Sequence, residues 1–529
     1  MTRAVLPRLV ARLTWRSSVA WIVGFAALGA ATVAGYSAAY PTVAERRALA
    51  SQIGANLGFQ ALYGRAHRLD TLGGFAAWRV GGSMMVIAAV WGALSVTKVL
   101  RGDEEAGRTE LLLASPLGAR QWFAVTAGVM ACWQIAAGIA LCATLVATGL
   151  AATGATLIAT STTVAGVSGV ALGALTSQLL ATRRRAAVWA GTTIGAWYLL
   201  RVLADGTSSL GVLRWVTPFG WIEEVRPFAG DRLAPLALVA ALIVALVVAS
   251  LVTLGSRDHG GALFADRDTG PAHSRSLRGP IRLAWRLEAR TLLGWTVGMG
   301  IGSAVMGLLA TDVADFARRS PGYARVARQL GIADPTAPGA FLGLAYGFLV
   351  VPFAVHVATQ MANGREDEAE GRLDQLLVQP IGRARWAAGR SAVVIAGAAV
   401  IAIVMAAAAW TGVALRGGGL SLIDSMSGTL NLLPLMVLVV GVGMLMHGIA
   451  PRLTGPLTIG LVATTYALQL VGALVQAPTW VVDLSPFHHL AAVPAVGVAP
   501  LPLAVFVSLG AVTGGAGIWR FTRRDVIEA

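Results

Sequence analysis

Twelve runs of about 20 mostly apolar residues follow one another along the 529 residues of this chain. A helix of about 20 apolar residues is long enough to cross the hydrocarbon core of a bilayer. Because 56% of the residues are hydrophobic and only 13% are charged, the composition is typical of polytopic membrane proteins and not of soluble globular ones. We therefore expect an all-α polytopic membrane protein with twelve spans. The runs lie near residues 18–40, 76–98, 123–147, 155–180, 186–204, 234–255, 291–311, 339–361, 391–414, 428–449, 456–476 and 499–519.

The positions of the charged residues predict how the chain is oriented. If both termini lie in the cytoplasm, 27 of the 41 Lys and Arg residues fall on the cytoplasmic side and 12 on the outer side. This asymmetry is the positive-inside bias of membrane proteins. The net charge of +15 is therefore explained by topology, and it does not indicate nucleic-acid binding.

One polar stretch between the second and third runs recurs between the eighth and ninth. Residues 101–122 and 365–386 align at an offset of 264, and ten of the 22 positions are identical. In both copies, carboxylates at the start favour the positive end of a helix, a Leu-Leu pair supplies an apolar ridge, and a Pro-x-Gly sequence ends the helix. We expect each copy to form a short amphipathic helix on the cytoplasmic face.

Two further matches indicate that the duplication is long. A Thr-Pro-Phe sequence at 217–219 corresponds to Ser-Pro-Phe at 485–487, and Arg257 corresponds to Arg524, at offsets of 268 and 267. Because each half holds an even number of spans, the halves share one orientation, as in a parallel repeat. The predicted domains are a first six-span half (1–265), a cytoplasmic linker (266–280) and a second six-span half (281–529).

An Arg-rich amphipathic segment precedes the first run of each half. Such a pattern is suited to an elbow helix that lies in the headgroup region with its arginines toward lipid phosphates. An ordinary positive-inside flank with interfacial tryptophans is the alternative. The predicted elbow residues are Arg12, Trp15 and Arg16 in the first half and Arg282, Trp285 and Arg286 in the second.

The sequence contains no recognisable energy source of its own. A P-loop needs a lysine at the nucleotide phosphates, and the sole lysine of the chain, Lys98, lies at the end of an apolar run. Proton coupling relies on carboxylates or histidines within spans. The run interiors contain no Asp or Glu, and the clearest histidine, His356, is either a relay or a packed residue. We predict no catalytic residue and no metal site, and we expect a partner to supply the energy.

The repeated pattern Glu-x-x-Gly-Arg-x-Glu/Asp-x-Leu-Leu-x-x-Pro resembles the coupling-helix loop of ATP-binding cassette (ABC) type-2 exporter permeases. The fused twelve-span form with an elbow is similar to the polyketide-antibiotic (tetronasin-like) exporters of actinobacteria. Family permeases often have Thr after the Gly, where this chain has Arg. The resemblance implies that coupling to an ATPase involves Asp103, Glu104, Gly107, Arg108, Glu110 and Pro116 in the first half and Asp367, Glu368, Gly371, Arg372, Asp374 and Pro380 in the second.

The same resemblance implies a permease subunit of the bacterial plasma (inner) membrane, with two copies of a separate ATPase subunit as partners. ATP and Mg²⁺ would then be bound by those partners, and this chain would need no cofactor. We expect ATP-driven efflux, by alternating access, of hydrophobic or amphipathic compounds such as antibiotics or lipid-like molecules, and hence drug resistance. Membrane lipid is the other expected contact, and the residues that contact the transported compound are unknown.

Two other classes remain open at this stage. A proton-coupled major-facilitator-type drug efflux transporter also has twelve spans in two parallel halves, and its Asp-Arg-x-Gly-Arg-like signature resembles residues 103–108. Carboxylate-free spans and the duplicated Leu-Leu-x-x-Pro helix argue against it. A membrane enzyme would need a compact group of Asp, Glu or His; the pairs at 488–489 and 223–224 are the nearest approach to one.

Overall fold

The computed structural model describes residues 5–53, 60, 63–206, 208–257, 261–264, 279–319, 334–369, 371–378, 380–474 and 478–525. Over these residues the fold is helical, and extended backbone pairs only in one isolated bridge, Leu180 with Phe264. The prediction of an all-α polytopic membrane protein is therefore confirmed. The chain divides into two compact units, residues 1–269 and 270–529. Residues 266–278 of the predicted linker (266–280) lie outside the described residues, and the homology of the halves stays a prediction.

Long helices dominate the first unit. Its pairs α1 with α5, α3 with α6, and α6 with α9 pack side by side. The helices are α1 (Val5–Ala39), α2 (Val43–Ile53), α3 (Leu72–Glu105), α4 (Arg108–Leu113), α5 (Ala119–Ala147), α6 (Ala152–Leu179), α7 (Arg183–Gly206), α8 (Pro218–Glu223) and α9 (Ala234–Gly255). Two π-helical segments interrupt α3, at Ala77–Gly81 and Lys98–Gly102.

The second unit has a similar order of helices, except that a separate short helix, α14, precedes α15 and no counterpart of α2 lies among the described residues. The corresponding pairs α10 with α13, α11 with α15, and α15 with α18 pack side by side. The helices are α10 (Pro280–Arg319), α11 (Pro338–Ala369), α12 (Arg372–Leu377), α13 (Arg383–Leu415), α14 (Leu422–Leu430), α15 (Leu433–Ile449), α16 (Thr454–Leu474), α17 (Thr479–Val482) and α18 (Pro500–Arg523). Equivalent partners in the two units favour a structural repeat.

Eleven helical stretches among the described residues are long and apolar enough to cross a membrane. Helix α16 coincides with the predicted span near 456–476, but residues 475–477 lie outside the described part of the chain. A twelfth span therefore stays a prediction.

The predicted elbow segments form the first turns of long helices and are not helices of their own. Helix α1 has 35 residues and α10 has 40, so they are about 52 and 60 Å long at 1.5 Å per residue. Both exceed the roughly 30 Å of a bilayer core. No Gly or Pro lies at 8–23 or 281–293, and these stretches therefore contain no residue that would break the helix. The first turns of α1 pack through Leu6 and Val10 against α5.

Glycines bring two helices of the first unit into backbone contact. A Cβ atom added at Gly169 in α6 would lie 2.0 Å from the carbonyl oxygen of Ala89 in α3. Close approach through small residues is a main source of helix association in membranes, because lipid removes the hydrophobic driving force. The close contact between α3 and α6 therefore requires a glycine at position 169.

We expect Gly169→Val to destabilise the first unit by about 1–3 kcal/mol, because the added atoms meet backbone that cannot rotate away. Gly128→Val in α5 is the matched control, since an added Cβ there meets no atom within 4 Å. Thermal unfolding of the two purified variants in detergent measures the difference. Equal midpoint temperatures for both variants would contradict this account of the packing.

Candidate functional site

A left-handed glycine separates a long helix from the short helix of the repeated stretch in each unit. Gly107 has φ of 70° between α3 and α4, and Gly371 has φ of 67° before α12. Glycine adopts this conformation without the steric cost that other residues meet. An added Cβ meets no atom within 4 Å at either position. The reason for glycine is therefore the backbone turn and not a lack of space.

The first predicted coupling glutamate, Glu104, is buried next to that turn. Both of its carboxylate oxygens accept hydrogen bonds from Arg257, at 2.8 and 2.9 Å. Arg257 lies two residues after the end of α9, the last helix of the unit, and the two side chains are each 5% exposed. Arg101 adds a second cation at 3.2 Å. The carbonyl oxygen of Gly261 accepts hydrogen bonds from both arginines.

The second predicted coupling glutamate, Glu368, has the same arrangement. Its two carboxylate oxygens accept hydrogen bonds from Arg524, both at 2.6 Å, and Glu368 is fully buried. Arg524 directly follows α18, the last helix of the second unit. Hydrogen bonds between ionised partners in this two-pronged geometry are among the strongest in proteins. We call Glu104–Arg257 and Glu368–Arg524 the two clamp pairs.

The clamp pairs differ in their third member. Gln178 accepts a hydrogen bond from Arg257 at 2.9 Å in the first unit. In the second unit, Nε2 of buried His447 lies 3.6 Å from a carboxylate oxygen of Glu368. The second unit therefore places a titratable imidazole where the first places a neutral amide.

In the two predicted coupling segments, residues 101–122 and 365–386, an aspartate and an arginine form a local pair at the protein surface. Arg108 donates to Asp103 at 3.1 and 2.6 Å, and Arg372 donates to Asp367 at 3.1 and 2.9 Å. Arg390 also donates to Asp367 at 2.7 Å. These pairs span the glycine turn from one helix to the next. Each pair therefore links the long helix to the short helix of its unit.

The remaining predicted coupling residues lie at the surface. Glu110, Pro116 and Pro380 are exposed, and Asp374 is partly exposed. Next to them, Ala114 and its counterpart Val378, which is 87% exposed, follow α4 and α12 directly. This part of each segment is the surface that another protein can reach, whereas Glu104 and Glu368 are not accessible.

Sequence reasoning used Arg257 and Arg524 as markers of the duplication but did not pair them with the glutamates. The sequence did contain a signal for this pairing, because the glutamate and the arginine both recur in the second half at nearly the same offset. The sequence pointed to His356 and not to His447; His356 is buried, and its ring lies tilted against Trp295 with the ring centroids 4.9 Å apart. Among the described residues, no group of three or more His, Cys, Asp or Glu side chains is placed to hold a metal ion.

A second group of buried charges lies at the other end of the first unit. Asp205, at the end of α7, pairs with Arg201 at 3.0 Å and with Arg214 at 2.6 Å. Glu223, at the end of α8, lies 3.3 Å from Arg201. Helix α7 extends two residues past the predicted run 186–204, and Asp205 lies in this extension and not in the interior of the run.

The arginine charge controls the ionisation of Glu223. Burial by itself raises the pKa of this carboxyl, but the Arg201 charge and the hydrogen bond from the backbone N–H of Arg65 outweigh burial and hold the pKa below its ordinary value. A cavity of about 60 Å³ adjoins the group and is lined in part by Trp78 and Tyr63.

Comparison with known proteins identifies the family. Residues 277–522 match the C-terminal domain of the multidrug efflux system permease Rv1217c. Over 501 residues the chain is 30% identical to the multidrug efflux system permease protein Rv1217c of Mycobacterium tuberculosis (strain ATCC 25618 / H37Rv), which covers 93% of this chain and 89% of the relative. The chain belongs to the Rv1217c family of multidrug efflux permeases. In this Rv1217c-family member the matched domain includes Glu368 and α12, and Arg524 lies two residues beyond its end.

Proposed function

We propose that this chain is the membrane-spanning permease of an ATP-driven ABC exporter of the type-2 class that removes hydrophobic or amphipathic drugs from the cell. In this proposal two copies of a separate ATPase subunit, which bind ATP and Mg²⁺, dock on the two coupling segments. The segments and both termini face the cytoplasm, and the protein resides in the bacterial plasma membrane. The M. tuberculosis relative is a multidrug efflux system permease, which supports this choice.

The clamp pairs are the observation that carries the proposal. Each joins the segment before a short surface helix to the last helix of the same unit, across 153 and 156 residues of sequence. A buried bidentate ion pair resists separation, because removal of one partner leaves an uncompensated charge. A displacement of α4 or α12 by a docked subunit is therefore transmitted to α9 or α18. This is how an external motor would change the access of the transport pathway.

The accessible surface of the coupling segments fits a docking role. Exposed Ala114 and Val378 offer an apolar contact, and Glu110 and Asp374 offer negative charge beside it. Interfaces combine such an apolar centre with a polar rim. An external energy source fits this arrangement, because the chain has no P-loop of its own: its only lysine, Lys98, has no phosphate-binding loop around it.

The major-facilitator alternative gains no support from the structure. Asp103 and Arg108, the residues that resemble the signature of that class, form a local pair across the glycine turn. Membership in the Rv1217c family does not favour the alternative either.

The proposal is tested with inside-out vesicles that contain the permease and an ATPase encoded beside it. We expect fluorescent drug uptake into the vesicles to require ATP, to stop with vanadate and to continue with a protonophore. Vesicles with the permease alone are the control. Uptake that ignores vanadate and collapses with the protonophore would support the major-facilitator alternative instead.

A double-mutant cycle tests the clamp pair as a transmission element. Glu104→Gln and Arg257→Gln should each reduce drug-stimulated ATPase activity of the complex strongly. The double variant should lose no more than either single variant, because residues of one pair are not additive. Arg232→Gln, which removes an arginine that is 57% exposed and lies outside the coupling segment, is the control. Additive losses in the double variant would contradict a shared role for Glu104 and Arg257.

A further inference from the structure

A groove of about 480 Å³ opens in the first unit between the first turns of α1 and the coupling segment. Its size lies within the range of small-molecule and lipid sites. Residues from three parts of the unit line it: the first turns of α1, the C-terminal end of α3 (residues 98–103), and α4. The lining residues are Leu9, Leu13, Thr14, Lys98, Val99, Asp103, Arg108, Leu111 and Leu112.

Four of the nine lining residues are leucines. Leu13 is 57% exposed, Leu111 is 78% exposed, and Leu9 and Leu112 are partly exposed. The described contacts of the chain therefore leave this apolar surface open. Such a wall fits a hydrocarbon chain.

The charge in the groove is positive and concentrated at Lys98. Asp103 is already paired with Arg108 at 2.6 Å. Lys98 is exposed, and within the described residues no ion pair to it is found. The same first turns of α1 expose Arg8, Arg12 and Arg16. A ligand that fits must therefore combine an anionic group with an apolar chain.

The groove has no equivalent cation in the second unit. At the offset of 264, the residue that corresponds to Lys98 is Ala362, which is partly exposed. The clamp pairs and the glycine turns are duplicated, but this lysine is not. Its presence is therefore not required by the repeated coupling geometry.

We propose that the groove binds one anionic phospholipid, with the phosphate at Lys98 and an acyl chain along Leu9, Leu13 and Leu112. Basic residues beside a membrane attract anionic headgroups, and the first turns of α1 extend beyond the length that the bilayer core requires. The bound lipid connects α1 to α4, so the membrane composition acts on the first coupling segment. This site depends on the membrane location of the chain and not on the ATPase partner.

Lys98 is the single lysine of the chain, which makes the site directly measurable. The purified full-length permease in a neutral detergent is treated with an amine-reactive reagent, and labelling of Lys98 is followed by peptide mass spectrometry against the N-terminal amine. We expect phosphatidylglycerol to slow the labelling of Lys98 several-fold, and phosphatidylcholine and glycerol 3-phosphate to leave it unchanged. Equal labelling in every condition would overturn the site. Protection by glycerol 3-phosphate alone would overturn the lipid assignment.

Native mass spectrometry supplies a second readout with a charge-matched control. We expect Lys98→Gln to lose the retained phosphatidylglycerol, whereas Arg452→Gln should keep it, because Arg452 is an exposed cation of the second unit remote in sequence from the groove residues. Equal retention by the two variants would contradict a role for Lys98. Folding of both variants is checked by their thermal midpoints, and loss of lipid at an unchanged midpoint supports the proposal.

Discussion

Replacement of Glu368 by Ala is expected to lower the free energy of unfolding of the second unit by about 3–5 kcal/mol, as is usual when one partner of a buried ion pair is removed. The side chain is fully buried and accepts two hydrogen bonds of 2.6 Å from Arg524. Without the carboxylate of Glu368, the guanidinium of Arg524 keeps its charge and loses its partner. Thermal or denaturant unfolding of the purified permease measures this effect.

The exposed glutamate of the first coupling segment provides the control for this variant. Glu110→Ala should change stability by less than about 0.5 kcal/mol, because surface positions without such partners are tolerant. In the complex of permease and ATPase, Glu368→Gln, which keeps the volume of the side chain, should abolish the stimulation of ATP hydrolysis by added drug. A Glu368→Ala protein as stable as Glu110→Ala would refute the buried clamp.

Replacement of Arg201 by Leu should have the second largest effect, again about 3–5 kcal/mol at neutral pH. The guanidinium lies 3.0 Å from Asp205 and 3.3 Å from Glu223, so its loss leaves two carboxylates with less compensation. Arg232→Leu is the control, because its side chain is 57% exposed and lies 3.9 Å from Glu224. An exposed contact of that kind contributes about 0–1 kcal/mol.

The effect of Arg201→Leu should depend on pH. In the wild-type protein the pKa of Glu223 is below its ordinary value, so its stabilising contribution is present above the pKa of the unfolded chain and is lost as the pH falls. In the variant, burial dominates and raises the pKa of Glu223, so stability is lost as the pH rises. The difference in unfolding free energy between the two proteins should therefore shrink from pH 7 to pH 4. A difference that does not change with pH would contradict this account.

The sequence was sufficient for the membrane class, for most of the helices and for the short helix in each copy of the repeated stretch. Apolar runs report directly on burial in lipid, and the Gly-Arg and Leu-Leu positions of the repeated stretch mark the turn and the short helix. The elbow segments were different: their amphipathic pattern was recognised, but nothing in a periodic pattern states whether the backbone bends between Arg16 and the span. The lack of Gly and Pro at 8–23 and 281–293 predicts the continuous helices α1 and α10 better than the amphipathic pattern does.

The clamp pairs could not be predicted from local pattern. Glu104 and Arg257 are 153 residues apart, and a carboxylate in a polar stretch is ordinarily exposed. Its burial depends on where α9 ends relative to α3, which is a property of packing. The same holds for Asp205, whose burial follows from Arg214 and Arg201 meeting it from two directions.

Photocrosslinking from the coupling segments is the most direct test of the central claim. A benzophenone amino acid is placed at Ala114 or at its counterpart Val378, both exposed directly after the short helices, and at Trp215, which is 55% exposed and lies before α8. In membranes that also contain the ATPase and carry out drug transport, the first two positions should crosslink to the ATPase and Trp215 should not. Active transport without crosslinks from Ala114 and Val378, or equal crosslinking from Trp215, would contradict docking at these segments.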